Sequence, residues 1–213
     1  GRNFEYFSED PYLAGKMAAA YVRGIQKNGV AACPKHFAVN SQELRRMASD
    51  SIVDERTLRE IYLTGFEMVV KEAHPKTIMS AYNLINGTYA NENAHLLQDI
   101  LRKDWGFEGA VVTDWGGSND HALGVKNGST LEMPCPGDDS IRELIKAVQT
   151  GKITEADVDA RLEELLELVF TTKAAVDAAP SKFDADAHHA LARRAAAQSI
   201  VLLKNENSLL PLA

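Results

Sequence analysis

The strongest constraint on the fold is an alternation along the chain between short apolar segments and longer segments with helical periodicity. Apolar runs at 30–33, 77–82, 110–114 and 130–133 are each typical of a buried strand, and amphipathic stretches separate them. Strands that alternate with helices form right-handed βαβ units around a parallel sheet. The sequence therefore predicts an α/β protein.

The predicted helices have recognisable beginnings, ends and apolar faces. Asp10 and Pro11 predict an N-cap followed by proline at the first helical position, and Gly29 ends that helix after about Lys27. Asn86-Gly87 predicts a turn. Apolar spacing predicts further helices at 54–70, 94–104, 119–126, 139–150, 155–172 and 185–198, the last followed by a strand at 200–203.

Polar pairs follow three of the first four predicted strands, namely Lys35-His36, Tyr82-Asn83 and Asp114-Trp115. Functional residues at the carboxyl ends of parallel strands occur both in (β/α)8 barrels and in doubly wound sheets. The sequence contains no glycine-rich phosphate loop of either common type, which favours the barrel. A complete barrel needs about 250 residues, so four strands predict about half of one.

Charge and composition exclude several functional classes. The chain has 23 basic and 30 acidic residues, a net charge of −7, which argues against nucleic acid or an anionic membrane as partner. No apolar run approaches the roughly 18 residues of a transmembrane helix. Cys33 and Cys135 are too few for a disulfide framework and lack the spacing of a metal site, so we expect no metal.

Local sequence leaves the roles of individual polar residues open. Asp114 fits a nucleophile, a base, a metal ligand or a helix cap. Lys35 and His36 fit hydroxyl-binding donors or solvated loop residues, and in a dry pocket Lys35 would suit the Schiff base of an aldolase. Arg46 fits a hydroxyl-binding residue or part of a solvated turn.

Aromatic residues follow two of the predicted strands. Tyr82 and Trp115 could form the floor of a sugar site, because an aromatic ring packs well on the apolar C–H face of a pyranose. An aromatic residue at a strand end is, however, more often part of the protein core.

Six segments in order extend the pattern along nearly the whole chain. They are Gly-Arg-Asn-Phe-Glu with Ser-Glu-Asp-Pro at 1–11, Lys-His-Phe to Arg-Arg at 35–46, Met-Ser-Ala-Tyr-Asn with Asn-Gly at 79–87, Val-Thr-Asp-Trp-Gly at 112–116, Leu-Glu-Met-Pro at 131–134, and Val-Leu-Leu-Lys-Asn with Leu-Leu-Pro-Leu at 201–212. This ordered set resembles glycoside hydrolase family 3, in particular its β-glucosidases.

The resemblance implies an exo-acting, retaining hydrolase that removes β-linked glucose from a non-reducing end through a covalent glycosyl-Asp intermediate. Asp114 stands at the position of the family's nucleophile. The implied substrate is a β-glucoside or oligosaccharide, without a cofactor. The residues at the family's sugar-binding positions are Arg2, Lys35, His36, Arg46, Met79, Tyr82 and Trp115.

The implied fold is the C-terminal half of a (β/α)8 TIM-type barrel at 1–172, a linker at 173–184, and the first elements of an α/β sandwich domain at 185–213. The resemblance puts the acid/base Glu outside this chain, so we expect the chain alone to be inactive. A homo-oligomer or a complementary chain is the expected partner that completes the fold. A cytoplasmic location is the first expectation. The alternatives are a β-xylosidase or other β-glycosidase of the family, a sugar-binding or structural fragment without turnover, and the aldolase.

Overall fold

The computed structural model describes residues 1–178 and 182–212. Backbone contacts divide the chain into two compact units, Gly1–Asp177 and Ala178–Ala213, which are described separately below. The predicted linker at 173–184 includes this division, and its residues 179–181 lie outside the described residues. No helix among the described residues is both long and apolar enough to cross a membrane.

The described residues contain seven α-helices, two π-helical segments and three short 3₁₀ turns. The α-helices are α1 (Pro11–Gln26), α2 (Glu55–Thr57), α3 (Thr64–Ala73), α4 (His121–Asn127), α5 (Asp138–Gln149), α6 (Glu155–Asp177) and α7 (Ala185–Ser199). The π-helical segments are Leu58–Leu63 and His95–Asp104, and the 3₁₀ turns are Asn3–Glu5, Ala90–Glu92 and Glu206–Ser208. Every predicted helix is present.

Three predicted helices differ in detail from those observed. The helix predicted at 94–104 is the π-helical segment His95–Asp104. The helix predicted at 54–70 is built from α2, a π-helical segment and α3, because its hydrogen bonding widens over one stretch. Helix α6 continues five residues beyond the predicted end, to Asp177. The alanine-rich sequence favours the extra turn, and Lys173 pairs with Asp177 at 2.8 Å. The first residues of the predicted linker are therefore helical.

The first unit contains a parallel array of four segments. Strands β2 (Thr77–Met79) and β5 (Ala110–Val112) pair in parallel, with Met79 opposite Val112. On the other edge of β2, Phe37 donates to the Met79 carbonyl at 2.8 Å and forms a parallel bridge to Ser80. On the other edge of β5, Leu131 forms a parallel bridge to Val112. This arrangement confirms the predicted parallel α/β architecture.

A second sheet consists of three two-residue strands. It comprises β1 (Asp50–Ser51), β3 (Leu84–Ile85) and β4 (Thr88–Tyr89), with β3 parallel to β1 and antiparallel to β4. The predicted Asn86-Gly87 turn joins β3 to β4, and both turn residues have positive φ angles, 49° and 86°. These strands were not predicted, because two-residue strands carry no apolar periodicity.

Three predicted strands were wrong in position or absent. The run at 30–33 forms no strand; the pairing with β2 begins at Pro34 and Phe37, and Val30 is exposed. The segment at 130–133 makes one isolated bridge rather than a strand. The segment at 200–203 has no strand, because the described part of the second unit offers no other strand to supply ladder hydrogen bonds.

The core of the first unit lies between the parallel array and the helices that follow its strands. Its largest fully buried side chains include Phe37, Leu63, Ile78, Leu97, Ile100 and Leu101. A second cluster forms where α1 packs on α3, and the two helices approach closely at a glycine. A Cβ on Gly15 would lie 3.2 Å from the Cα of Gly65 and 2.7 Å from the Met68 sulfur.

Candidate active site

The carboxyl ends of the parallel segments bring three sequence-predicted site residues to one edge of the array. Because Met79 and Val112 are opposite each other in β2 and β5, Tyr82 and Asp114 follow these strands at the same edge. His36 precedes Phe37, which pairs beside β2. In α/β folds this edge is where ligand-binding residues gather.

Asp114 is buried and its carboxylate is held on both oxygens. Its Oδ1 accepts a hydrogen bond from the backbone N–H of Trp115 at 2.8 Å, and its Oδ2 faces His36 Nε2 at 3.3 Å. The chain then turns sharply through Gly116, whose φ of 76° favours glycine. A Cβ on the next residue, Gly117, would meet the Asp114 carbonyl at 3.0 Å. The glycines therefore allow the tight turn that fixes the orientation of this carboxylate.

His36 lies between two carboxylates. Its Nδ1 is 3.3 Å from Glu5 Oε1, on the side opposite Asp114, and the ring is almost fully buried. Nδ1 makes no hydrogen bond within the described residues, so its contact with Glu5 is electrostatic. Burial lowers the pKa of His36, and the charges of Glu5 and Asp114 oppose that effect.

Two arginines and two glutamates extend this row of charges away from His36. Arg2 is buried; its Nε and Nη2 donate to the two oxygens of Glu5 at 2.7 and 3.1 Å, and its Nη1 contacts Glu43. Glu43 also accepts from Arg46 Nη1 at 2.6 Å. Burial would raise the pKa of Glu5, but the hydrogen bond from Arg2 and the neighbouring cations hold it below its ordinary value. The result is a chain of alternating charges that ends at Asp114.

Tyr82 joins this row to the loop after β5. Its hydroxyl donates to the Trp115 carbonyl at 2.8 Å, and the guanidinium of Arg46 lies 5.1 Å from the centre of its ring. Burial raises the pKa of Tyr82, and the nearby Asp114 carboxylate adds to the effect. The hydroxyl therefore remains a donor, and the ring gives Arg46 a surface to stack on.

The other three predicted residues lie at the periphery. Met79 is the half-buried last residue of β2. Trp115 is 52% exposed, which leaves its ring free to contact a ligand. Lys35 is exposed, which does not fit the dry pocket that a Schiff-base lysine needs. The arrangement therefore gives no support to the aldolase alternative.

Sequence reasoning missed three carboxylates. Glu5 and Glu43 occur inside segments that carry the resemblance, but only the fold brings them against Arg2. Glu92 is buried and its Oε1 accepts from the backbone N–H groups of Asn119 and Asp120 at 2.7 and 2.9 Å. It anchors the segment between Asp114 and α4. A lone acidic residue in a turn gives no local signal of such a role.

A cavity of about 770 Å³ opens beside the site. Arg2, Glu5 and Lys35 line one side of it, and apolar residues of α1 and α3 line the other, whereas Asp114 does not line it. Among the described residues, no group of three or more His, Cys, Asp or Glu side chains is arranged to hold a metal ion.

Comparison with known proteins identifies the family. The family model described as "Glycosyl hydrolase family 3 N terminal domain" matches residues 1–168. This chain belongs to glycosyl hydrolase family 3. The resemblance found in the sequence is thereby confirmed, and so is the prediction of a partial (β/α)8 barrel, because the family 3 β-glucosidase structures below match the chain along its whole length.

Curated family 3 relatives align with all of this chain. It is 50% identical over 212 residues to thermostable beta-glucosidase B of Acetivibrio thermocellus, and 47% identical over 212 residues to an exo-alpha-(1->6)-L-arabinopyranosidase of Bifidobacterium breve. The alignments cover 100% of this chain and 28% of each relative. The chain thus spans less than a third of the length of these relatives.

Solved family 3 structures share the fold. Beta-glucosidase 3B from Thermotoga neapolitana in complex with glycerol superposes with a TM-score of 0.93 at 43% identity, covering 100% of this chain and 31% of that one. A Bifidobacterium adolescentis GH3 beta-glucosidase gives a TM-score of 0.92, also at 43% identity.

Proposed function

We propose that this chain supplies the nucleophile and most of the sugar-binding side chains of a retaining, exo-acting β-glucosidase. The observation that carries the proposal is the buried Asp114 carboxylate at the end of β5, held by the Trp115 N–H and facing His36. The names of the similar β-glucosidases support it. A carboxylate fixed in this way meets the geometric requirement for a nucleophile, because little motion is needed before attack.

In the proposed reaction, Asp114 attacks the anomeric carbon of a terminal glucosyl residue. The new C–O bond forms as the glycosidic C–O bond breaks, through an oxocarbenium-like transition state, and the leaving oxygen takes the bonding electrons. A second carboxyl group, about 5 Å away in retaining enzymes, protonates that oxygen and later activates the water that cleaves the glycosyl ester. We assign this acid/base to a Glu outside residues 1–213.

The side chains around Asp114 suit a polyhydroxylated ring. Arg2, His36, Arg46 and Lys35 can donate hydrogen bonds to hydroxyl oxygens, and the acidic partners of the two arginines hold their guanidinium groups in place. The exposed ring of Trp115 can pack on the apolar face of the sugar. Met79, the last residue of β2, would complete the wall of the sugar site.

The identity of the sugar is the finer part of the proposal. One relative at 47% identity is an exo-alpha-(1->6)-L-arabinopyranosidase, so an α-L-arabinopyranoside is the second candidate substrate, with a β-xyloside as a third. We further propose that 1–172 form the barrel part and that 185–213 begin a second α/β sandwich domain. The family match that ends at residue 168 supports the first of these boundaries.

A burst measurement with 2,4-dinitrophenyl β-D-glucoside tests the proposal. Dinitrophenolate leaves without protonation, so the reaction does not need the acid/base residue. A burst of about one equivalent of phenolate per chain, followed by slow turnover, is the expected sign of a covalent intermediate. Asp114→Asn should abolish it, and Asp139→Asn, at an exposed aspartate of α5, should leave it intact.

The same assay separates the alternatives. Equal bursts from the α-L-arabinopyranoside or the β-xyloside would change the assigned sugar but not the mechanism. A sugar-binding fragment would bind glucose without releasing phenolate. A burst that persists in Asp114→Asn would refute the assignment of the nucleophile.

A further inference from the structure

Within residues 1–178 and 182–212, Glu5 is the one carboxylate that contacts both Arg2 and His36. Its Oε1 accepts from Arg2 Nε at 2.7 Å and lies 3.3 Å from His36 Nδ1, and its Oε2 accepts from Arg2 Nη2 at 3.1 Å. Its side chain is 12% exposed. Glu5 lies in the short turn Asn3–Glu5, whereas His36 belongs to the parallel array. The carboxylate therefore links the N-terminal turn to the edge that carries Asp114.

The chemistry of the imidazole gives this link a second consequence. A neutral imidazole has one N–H and one nitrogen lone pair. Because a carboxylate lies on each side of the ring, one of the two carboxylates must face the lone pair, which repels it. Only the imidazolium form turns an N–H toward both carboxylates, and its positive charge is attracted to both at 3.3 Å. The charged groups around the ring are Glu5 and Asp114, which favour its protonation, and Lys35 and Arg2, which oppose it. Burial outweighs these charges and lowers the pKa of His36 overall, and Glu5 is the charged group that opposes burial most strongly.

We propose that Glu5 is a positioning residue that fixes Arg2 and His36 beside Asp114 and favours the protonated form of His36. This inference rests on the proposed function for its catalytic consequence, but not for the contact itself. Without the Glu5 carboxylate, Arg2 keeps only Glu43, and His36 loses one of its two anionic neighbours. The side of the ring that carries Nδ1 would then have lost the negative charge that attracts it.

The first test follows His36 by NMR, through ¹H–¹⁵N spectra of the imidazole across a pH titration of the whole chain. Glu5→Gln should move the His36 titration to lower pH and change the ring ¹⁵N shifts. Glu9→Gln removes the same charge at an exposed position of the same segment, and Glu43→Gln removes the other partner of Arg2; both should leave the titration nearly unchanged. A His36 titration that does not move in Glu5→Gln would overturn the proposal.

The second test measures the rate at which an activated 2-deoxy-2-fluoro-β-glucoside labels the chain. Glu5→Gln should slow labelling about tenfold to hundredfold, which is the loss expected when the groups around a reacting centre are displaced by about 1 Å. Glu9→Gln should label at the wild-type rate. Far-UV circular dichroism checks that each variant is folded. If Glu5→Gln unfolds, Glu5→Asp takes its place. This variant keeps the charge but withdraws the carboxylate by one methylene, so its labelling should also be slower than that of the wild type.

The two tests separate this proposal from the function on which it rests. If the wild-type chain is not labelled, the proposed nucleophile fails, and the His36 titration still decides whether Glu5 controls the histidine. If the wild type is labelled and Glu5→Gln is labelled equally fast, Glu5 has no positioning role.

Discussion

Glu164 in α6 is expected to be the most costly single carboxylate to remove from the first unit. It accepts from Arg102 Nη2 at 3.0 Å and from Arg161 Nε at 2.9 Å, and the Thr130 hydroxyl donates to the same oxygen, Oε2. The side chains of Glu164, Arg102 and Arg161 are only 14%, 13% and 12% exposed. Burial lowers the pKa of Arg102, and the charge of Glu164 counteracts this.

The size of the effect follows from the contacts that remain. Removing one partner of a buried ion pair costs about 3–5 kcal/mol, because the other charge stays buried without compensation. Arg102 keeps carbonyl acceptors at Gly109 and Gly128, at 3.3 and 3.0 Å, and Arg161 keeps the Val125 carbonyl at 3.1 Å. Because these acceptors remain, the lower end of that energy range applies, and we expect Glu164→Ala to reduce the free energy of unfolding by about 3 kcal/mol.

Urea and thermal unfolding of the chain measure this change. A loss of about 3 kcal/mol lowers the Tm of a chain of this length by about 6–12 °C. Glu164→Gln keeps an oxygen acceptor but not the charge and should lose about 1–2 kcal/mol. Glu163→Ala, the exposed neighbour in the same helix, is the matched control and should change stability by less than about 0.5 kcal/mol. A Glu164→Ala stability equal to that of the control would refute the reasoning.

Gly109→Ala should destabilise the fold by about 1–3 kcal/mol, because a Cβ there would lie 2.4 Å from the Lys76 carbonyl oxygen. Gly24→Ala in α1 has open space and should stabilise by about 0.5–1 kcal/mol; urea unfolding that ranks the two the other way would contradict this. Burial raises the pKa of Glu92, so the folded chain holds this proton more tightly and the carboxyl's contribution to stability falls as pH rises. Glu92→Gln should therefore gain stability relative to the wild type as the pH rises above about 4, the ordinary pKa of a glutamate; a difference that stays constant with pH would show that the shift is absent.

The parts of the fold that the sequence could predict are those specified by neighbouring residues. Asp10 caps α1 by accepting from the N–H of Tyr12 at 2.8 Å, and Pro11 occupies the first helical position. The local sequence predicted both of these features. The local sequence also predicted the turn at Asn86-Gly87, because both positions have positive φ and these two residue types favour it. The π-helical hydrogen bonding of Leu58–Leu63 and His95–Asp104 has no such local signature and was not predicted.

The strand predictions show where local reasoning fails. The apolar run at 30–33 suggested a strand, but pairing with β2 is decided by which backbone groups lie opposite it, and these belong to Pro34 and Phe37. The same limit applies to the site. His36 and Asp114 follow apolar runs and were identified, whereas Glu5 becomes part of the site only through a contact with His36, 31 residues further along the chain.

The most direct test of the central claim is to locate the covalent label on the chain. After reaction with a 2-deoxy-2-fluoro-β-glucoside that carries a dinitrophenyl leaving group, peptide mass spectrometry should find one fluoroglucosyl group, on Asp114, and none in Asp114→Asn. The fluorine slows hydrolysis of the ester, and the leaving group needs no acid. A label on another carboxylate, such as Glu5 or Glu132, or no label even in a longer protein that contains this chain, would contradict the assignment of Asp114 as the nucleophile.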